Sequence, residues 1–187
     1  MQLGTSRKIS LVALVVFNFL FPSLAQAEGK YGFESNVPTF FLGGYHGSFW
    51  YGDNGYRARL VTAKAVYPSG LVEAGFKDKT LTFLEVEFDF FFGESANKFR
   101  GFWLSGGGGR TKQEITSEKT GVAASIYTDD FHFGAGYTFE VAPRITVNPW
   151  VGGDYHLNSP RAVAVGSETW NPKELELVGG IKLGIDF

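Results

Sequence analysis

Residues 173–187 read KELELVGGIKLGIDF, and taking every second one collects Leu175, Leu177, Gly179, Ile181, Leu183, Ile185 and Phe187 on one side. The other side holds Glu174, Glu176, Val178, Gly180, Lys182, Gly184 and Asp186. A period of two describes a strand with one oily and one wet face. The stretch is longer than a usual globular strand, and it closes on an aromatic side chain. Oily-out and polar-in over ten or more residues is what a strand needs to cross a bilayer within a closed barrel.

The same alternation recurs upstream. Thr80–Phe92 sets Leu84, Val86, Phe88, Phe90 and Phe92 against Glu85, Glu87 and Asp89. Three alternating carboxylates cannot face lipid, so their face is assigned to the lumen. Ser125–Glu140 places Tyr127, Phe131, Phe133, Ala135, Tyr137 and Phe139 outward, with Thr128, Asp130, His132, Thr138 and Glu140 inward. Arg144–Leu157 turns Ile145, Val147, Val151 and Tyr155 out, and Asn148, Trp150, Asp154 and His156 in. Further strands are expected at Thr39–Tyr51, Tyr56–Tyr67, Leu71–Phe76 and Phe99–Gln113, and Glu28–Val37 reads as a lead-in. Asp53-Asn54-Gly55 and Pro68-Ser69-Gly70 carry turn chemistry. The count is eight, an all-β, antiparallel, up-and-down transmembrane barrel in which Lys173–Phe187 pairs with Thr39–Tyr51 to close the ring. An even count puts both ends in the periplasm. The turns at 68–70, 93–98 and 141–143 then lie there too, and the loops 114–124 and 158–172 lie outside the cell. A soluble lipocalin-like barrel would turn the oily faces inward, and an eight-stranded interior has no room for so many rings.

Met1–Ala27 reads as a signal peptide. Arg7 and Lys8 precede an apolar run from Ile9 to Phe21, and Ala25-Gln26-Ala27 is a small-x-small cleavage site. The run is short for a spanning helix. The barrel domain is therefore expected over residues 28–187. Without Arg7 and Lys8 the 17 basic residues become 15 against 19 acidic ones, a charge near −4, which argues against nucleic acid as a partner. The exported chain has no cysteine, so closure of the hydrogen-bond ladder has to hold it together. Its 19 Phe and 25 Gly suit aromatic girdles and crowded strand positions.

The signal sequence, the dyad-patterned strands and the terminal Phe187 resemble the small eight-stranded outer-membrane barrels of Gram-negative bacteria, over the whole chain after residue 27. KFRGFWLSGGGGR (98–110) and RITVNPWVGGDYH (144–156) are also similar to uncharacterised barrels of this type. The resemblance implies insertion in the outer membrane among lipid and lipopolysaccharide, as a monomer, with Phe187 read by the barrel assembly machinery. It implies a structural or surface-interaction role in the envelope, porin-like in architecture. Small-ligand or ion binding or transport via the lumen is the alternative, and a lipid A-modifying hydrolase a second one.

Three groups of residues are candidates for chemistry. With Val141-Ala142-Pro143 as a turn, Glu140 faces Arg144 and paired positions sum to 284. Asp130 then lies opposite Asp154 and Thr128 opposite His156, with His132 diagonal to Asp154. Facing carboxylates must share a proton, bind a cation or find a base, and a two-histidine, multi-carboxylate set could hold a divalent metal. The plainer expectation is a luminal ion network of Arg57, Arg59, Glu85, Glu87, Asp130, His132, Asp154, His156, Glu174 and Glu176, joined by Arg110. Such side chains fill narrow barrels in place of a channel, and on this reading no metal, cofactor or catalytic residue is assigned. The second group is His46 and Ser48, which share a face, as lipid A deacylases of similar size require of a His-x-Ser pair; a hydrolase also needs an orienting carboxylate. The third is Ser105–Arg110. Its glycines could cradle phosphate only before a helix, so they are read as strand positions admitting bulky neighbours. Trp50, Trp103, Trp150, Phe99 and Tyr127 are expected as girdle or luminal packing.

Overall fold

Alternation becomes a closed wall. In the computed structural model, which describes residues 29–187, eight strands form an antiparallel barrel: β1 (Lys30–Asn36), β2 (Tyr45–Asp53), β3 (Tyr56–Val66), β4 (Phe76–Phe91), β5 (Gly101–Ser117), β6 (Ala123–Ala142), β7 (Ile145–His156) and β10 (Leu175–Asp186). Between β7 and β10 a small separate hairpin pairs β8 (Val163–Val165) with β9 (Glu168–Trp170). A short helix, α1 (Val37–Phe41), follows β1. The expected signal peptide lies outside the described residues.

The register shows how the wall winds. From Asp186 the paired residues run Gly32, Trp50, Arg59, Glu87, Gly107, His132, Asp154 and back onto β10 at Glu176. One circuit therefore returns ten positions away on the same strand. A stagger of that size over eight strands tilts them by about 40° to the barrel axis. It also places one inward-facing row, rich in charge, as a spiral climbing the lumen.

The two faces separate as the period of two dictates. Phe131, Phe133, Tyr137 and Phe139 of β6 are all outward and exposed, as are Leu84, Val86, Phe88 and Phe90 of β4. Arg57, Arg59, Glu85, Glu87 and Asp89 point inward and are at most 3% exposed. A soluble barrel would reverse this, so the outer surface is that of a protein in hydrocarbon.

Several boundaries differ from the sequence expectation, though the count of eight stands. The lead-in is in fact β1, which pairs with both β2 and β10 and so provides the closure assigned to Thr39–Tyr51. That stretch divides instead into α1 and β2. Pro38 in the first helical turn and Gly43-Gly44 after the end are a helix start and stop. Gly43 has φ +80°, and a side chain on Gly44 would strike the Lys64 carbonyl. Leu71–Gly75 forms no strand, and Phe76 opens β4. Leu71 N–H donates to the Pro68 carbonyl and Phe76 N–H to that of Glu73, two successive turns. Lys77-Asp78-Lys79 is not a turn but a bulge within β4, with Asp78 at φ +56°. These shifts move the 53–55 turn to the end holding Gly29 and Phe187, and the 68–70 turn to the opposite, loop end. The loops at 114–124 and 158–172 keep their predicted end. The first shortens because β5 and β6 run long, and the second contains the β8–β9 hairpin.

Both ends of the lumen are stoppered. At the terminal end Trp50, Phe91, Phe99 and Trp103 form a buried cluster, with Phe99 folded in from the β4–β5 turn. At the loop end Val165 and Trp170 of the hairpin pack on the inward-facing Ile115.

Candidate functional site

Polar side chains between those stoppers form two groups. In the lower one Arg57 bridges Glu34 at 2.7 Å and Asp89 at 2.6 Å. Arg59 bonds Glu87, approaches Asp89 to 2.8 Å and stands 3.8 Å from Glu34. The Arg57 guanidinium lies 5.1 Å from the Trp50 and Phe91 ring centroids, and Arg59 lies 5.6 Å from that of Trp103. Lys182, almost wholly buried, sits 4.2 Å above the Trp150 ring. Two forks, three carboxylates and aromatic faces thus make a dry, matched plug.

The upper group joins β6, β7, β4 and β10. His132 Nδ1 meets Asp154 Oδ1 at 2.6 Å, and His156 Nδ1 meets Asp130 Oδ1 at 2.5 Å. Lys79, brought inward beside the bulge, donates to Glu176 at 2.5 Å. The Tyr67 hydroxyl donates to the same carboxylate at 2.8 Å. Glu85 completes the group, and it has neither a hydrogen-bond nor an ion-pair partner among the described residues. Glu85, His132 and Asp154 each bring one ligand atom to within 4.8 Å of the others.

The β6–β7 register corrects one expected juxtaposition. Paired positions sum to 286, not 284, so Asp130 faces His156 and His132 faces Asp154. The facing Asp130–Asp154 pair does not exist, and each carboxylate has a histidine instead. The cause is the turn. Ala142 pairs with Ile145 around Pro143-Arg144, Arg144 adopts φ +67°, and a bulge follows between Glu140 and Ala142. A non-glycine residue in the left-handed region is uncommon, and nothing in the Val-Ala-Pro-Arg sequence announces it.

Of the ten residues expected in the luminal network, eight are together inside, and Glu176 is with them. Glu174 is not: it is exposed at the loop-end rim, just before β10 begins. Arg110 faces outward, near Asp129 at 3.9 Å and over Tyr127. Sequence reading missed Glu34 and Lys79, whose inward parity needed the correct strand boundaries, and left Lys182, though on the wet face of the last strand, out of the network. The glycine run behaves as expected. A Cβ on inward-facing Gly107 would lie 2.7 Å from Glu87 Cα, and one on Gly109 would lie 2.5 Å from Glu85 Cγ. Small residues here make room for the acidic row. Trp50, Trp103, Trp150 and Phe99 serve the lumen, whereas Tyr127 is on the outer surface.

His46 and Ser48 both point inward and are buried. His46 Nδ1 accepts a bond from the Asn36 N–H at 3.2 Å, and Ser48 Oγ has no partner among the described residues. Neither reaches the bilayer surface, where a lipid A substrate would have to meet them.

A cavity of about 230 Å3 lies above the plug. Val61, Ala63, Leu81 and Phe83 form an apolar wall, and Glu85, His132 and Asp154 lie along its polar side.

No protein-family model matches the chain, and no curated protein does. Three solved structures are similar to it. The N-terminal β-barrel domain of Pseudomonas aeruginosa OprF covers 87% of this chain and 100% of its own, at 17% identity and a TM-score of 0.47. Neisserial surface protein A (NspA) covers 84% and 92%, at 11% identity and 0.47. A major outer membrane protein from Thermus thermophilus covers 85% and 99%, at 12% identity and 0.48. At such identities the likeness is one of backbone course.

Proposed function

We propose that the chain serves as a non-conducting, non-enzymatic outer-membrane barrel with a structural or surface-interaction role in the envelope, its loop end facing outside the cell. One observation carries this reading: an apolar outer wall surrounds a lumen crossed by buried ion pairs, closed at one end by an aromatic cluster and covered at the other by the packing of Val165 and Trp170 on Ile115. Such a wall demands lipid, and such a lumen leaves no continuous water column for ions. The loops 118–122 and 157–174, with the hairpin, are the surface offered to partners. Planar-bilayer recording tests the reading. The purified barrel should give no steady single-channel openings, and a reproducible unitary conductance would replace it with a pore. Lipid A mass spectra with and without expression should be identical; a shifted acylation pattern would establish a hydrolase.

Insertion is proposed to depend on the chain end. Phe187 stacks on Tyr31 with centroids 5.5 Å apart, and its N–H donates to the Tyr31 carbonyl at 2.8 Å. It therefore finishes the β1–β10 seam as well as offering a terminal aromatic to the assembly machinery. Deleting Phe187 should lower the heat-modifiable, outer-membrane fraction severalfold while total synthesis stays level. Equal amounts of assembled barrel would remove this role.

A further inference from the structure

The barrel wall is notched. The β1–β10 ladder ends at the pair Asn36–Lys182, whereas β10 continues to Leu175 with β7 on its far side. Leu175–Ile181 thus have no strand on their near side, over a height of roughly 15–20 Å at the rise and tilt of such strands. β2 begins only at Tyr45. A bare sheet edge at membrane depth is tolerated only where protein covers it or where it lines a cavity. Here both hold. α1 lies across the notch, and Val178 and Gly179 of the free edge line the 230 Å3 cavity. The cover is lightly fastened. Asn36 Nδ2 donates to Thr39 Oγ1 at 3.3 Å, the Gly44 N–H donates to the Thr39 carbonyl, and the helix has no side-chain cap. Its Phe40 and Phe41 are exposed, while Pro38, Thr39 and the following Leu42 line the cavity.

Two buried charges that line the cavity, Glu85 and Lys182, have no ion-pair partner among the described residues, and Lys182 instead lies over the Trp150 ring. Arg57, Arg59, Lys79 and Lys182 oppose Glu34, Glu85, Glu87, Asp89, Asp130, Asp154 and Glu176, four cations against seven carboxylates. His132 and His156 bond Asp154 and Asp130, and His46 serves no carboxylate, its Nδ1 being taken up as an acceptor. One carboxylate remains, and the hydrogen bonds identify it as Glu85, 3% exposed and lining the cavity. A carboxylate buried without a partner sheds its cost by taking up a proton or a cation.

We propose that this cavity binds a small amphipathic organic cation, an ammonium carried on an aromatic or short alkyl body, with Glu85 as its counter-ion and the α1-covered notch as its way in from the membrane. The apolar body lies against Val61, Ala63, Leu81 and Phe83, and the ammonium donates to Glu85. A bare metal ion at Glu85, His132 and Asp154 would use the acidic side alone. It would also compete with the His132–Asp154 bond and leave the apolar wall without a role.

2-Phenylethylammonium is a suitable probe, with phenylacetate as its opposite-charge analogue, titrated calorimetrically into the folded barrel in nanodiscs. Saturable binding of the amine, at least tenfold tighter than the acid, is expected. Glu85→Gln should weaken amine binding at least tenfold, and Ala63→Phe, which fills the apolar side, should also abolish it; heat-modifiable migration verifies that each variant is folded. Equal partitioning of both probes, or an amine isotherm indifferent to both substitutions, overturns the proposal. Glu85-dependent Zn2+ binding with no amine binding overturns it in favour of a metal site. Asn36→Ala combined with Thr39→Ala should accelerate amine association by severalfold in stopped-flow fluorescence; an unchanged rate would refute access through the notch.

Discussion

Arg59→Met is expected to destabilise the barrel by about 3–5 kcal/mol, the usual cost of removing one partner from a buried ion pair. Arg59 has a fully buried side chain that serves Glu87, Asp89 and, more distantly, Glu34. Glu34 and Asp89 would keep Arg57. Glu87 would keep only His132 Nε2 at 3.7 Å, a longer and conditional substitute. The loss should therefore concentrate at Glu87. Arg59→Met with Glu87→Gln should recover part of it, a coupling within the roughly 0.5–3 kcal/mol range seen for contacting residues. Arg59→Lys keeps the charge but cannot hold two carboxylates with one planar fork, so it should fall between the parent and Arg59→Met. Urea unfolding in lipid vesicles, followed by the gel-migration shift, measures all three. A cost below about 1 kcal/mol for Arg59→Met, typical of solvent-exposed pairs, would show that the lumen is hydrated and the ion pairs screened.

What could be read from the sequence divides along the same line. The outward face needs only the period of two, so Leu84 to Phe90 and Phe131 to Phe139 were legible from spacing alone. The chemical types inside were legible for the same reason, because Glu85, Glu87 and Asp89 could not face lipid. The partnerships were not. They depend on register, and the β6–β7 register turns on the left-handed Arg144 and the bulge just before it. β1 was hidden because KYGFESN is short and places Glu34 where only a distant Arg57 explains it. The consequence reached the site. With β1 taken for a lead-in, the strand after it was expected to run unbroken through Thr39–Tyr51, and neither the notch nor α1 was visible. Glu85 could be named as luminal from its neighbours in sequence. That it lacks a partner while the other luminal carboxylates each have one follows only from the three-dimensional pairing.

Val151→Arg should cost about 2–4 kcal/mol of folding free energy in a bilayer, the penalty for a guanidinium on the lipid face near the midplane. Val151 is 63% exposed on the outer wall, midway along the outward series from Ile145 on β7 to Leu157 just beyond it. It therefore lies near the middle of the apolar band, too far from either interface for the side chain to extend comfortably to water. Thr82→Arg, outward at the loop-end edge of the apolar band where Thr82 pairs with Lys64 and Lys112, should cost no more than about 1 kcal/mol by the same depth dependence. The pair of measurements separates two environments for one fold. If the outer wall met water, Arg in place of an exposed Val would be neutral at both positions, since surface substitutions away from special features stay within about 0.5 kcal/mol. A cost at Val151 several times that at Thr82 follows only if the wall is graded by depth. Reversible folding into vesicles of fixed lipid composition supplies the comparison, and equal costs at the two sites would return the oily face to solvent and with it the whole membrane reading.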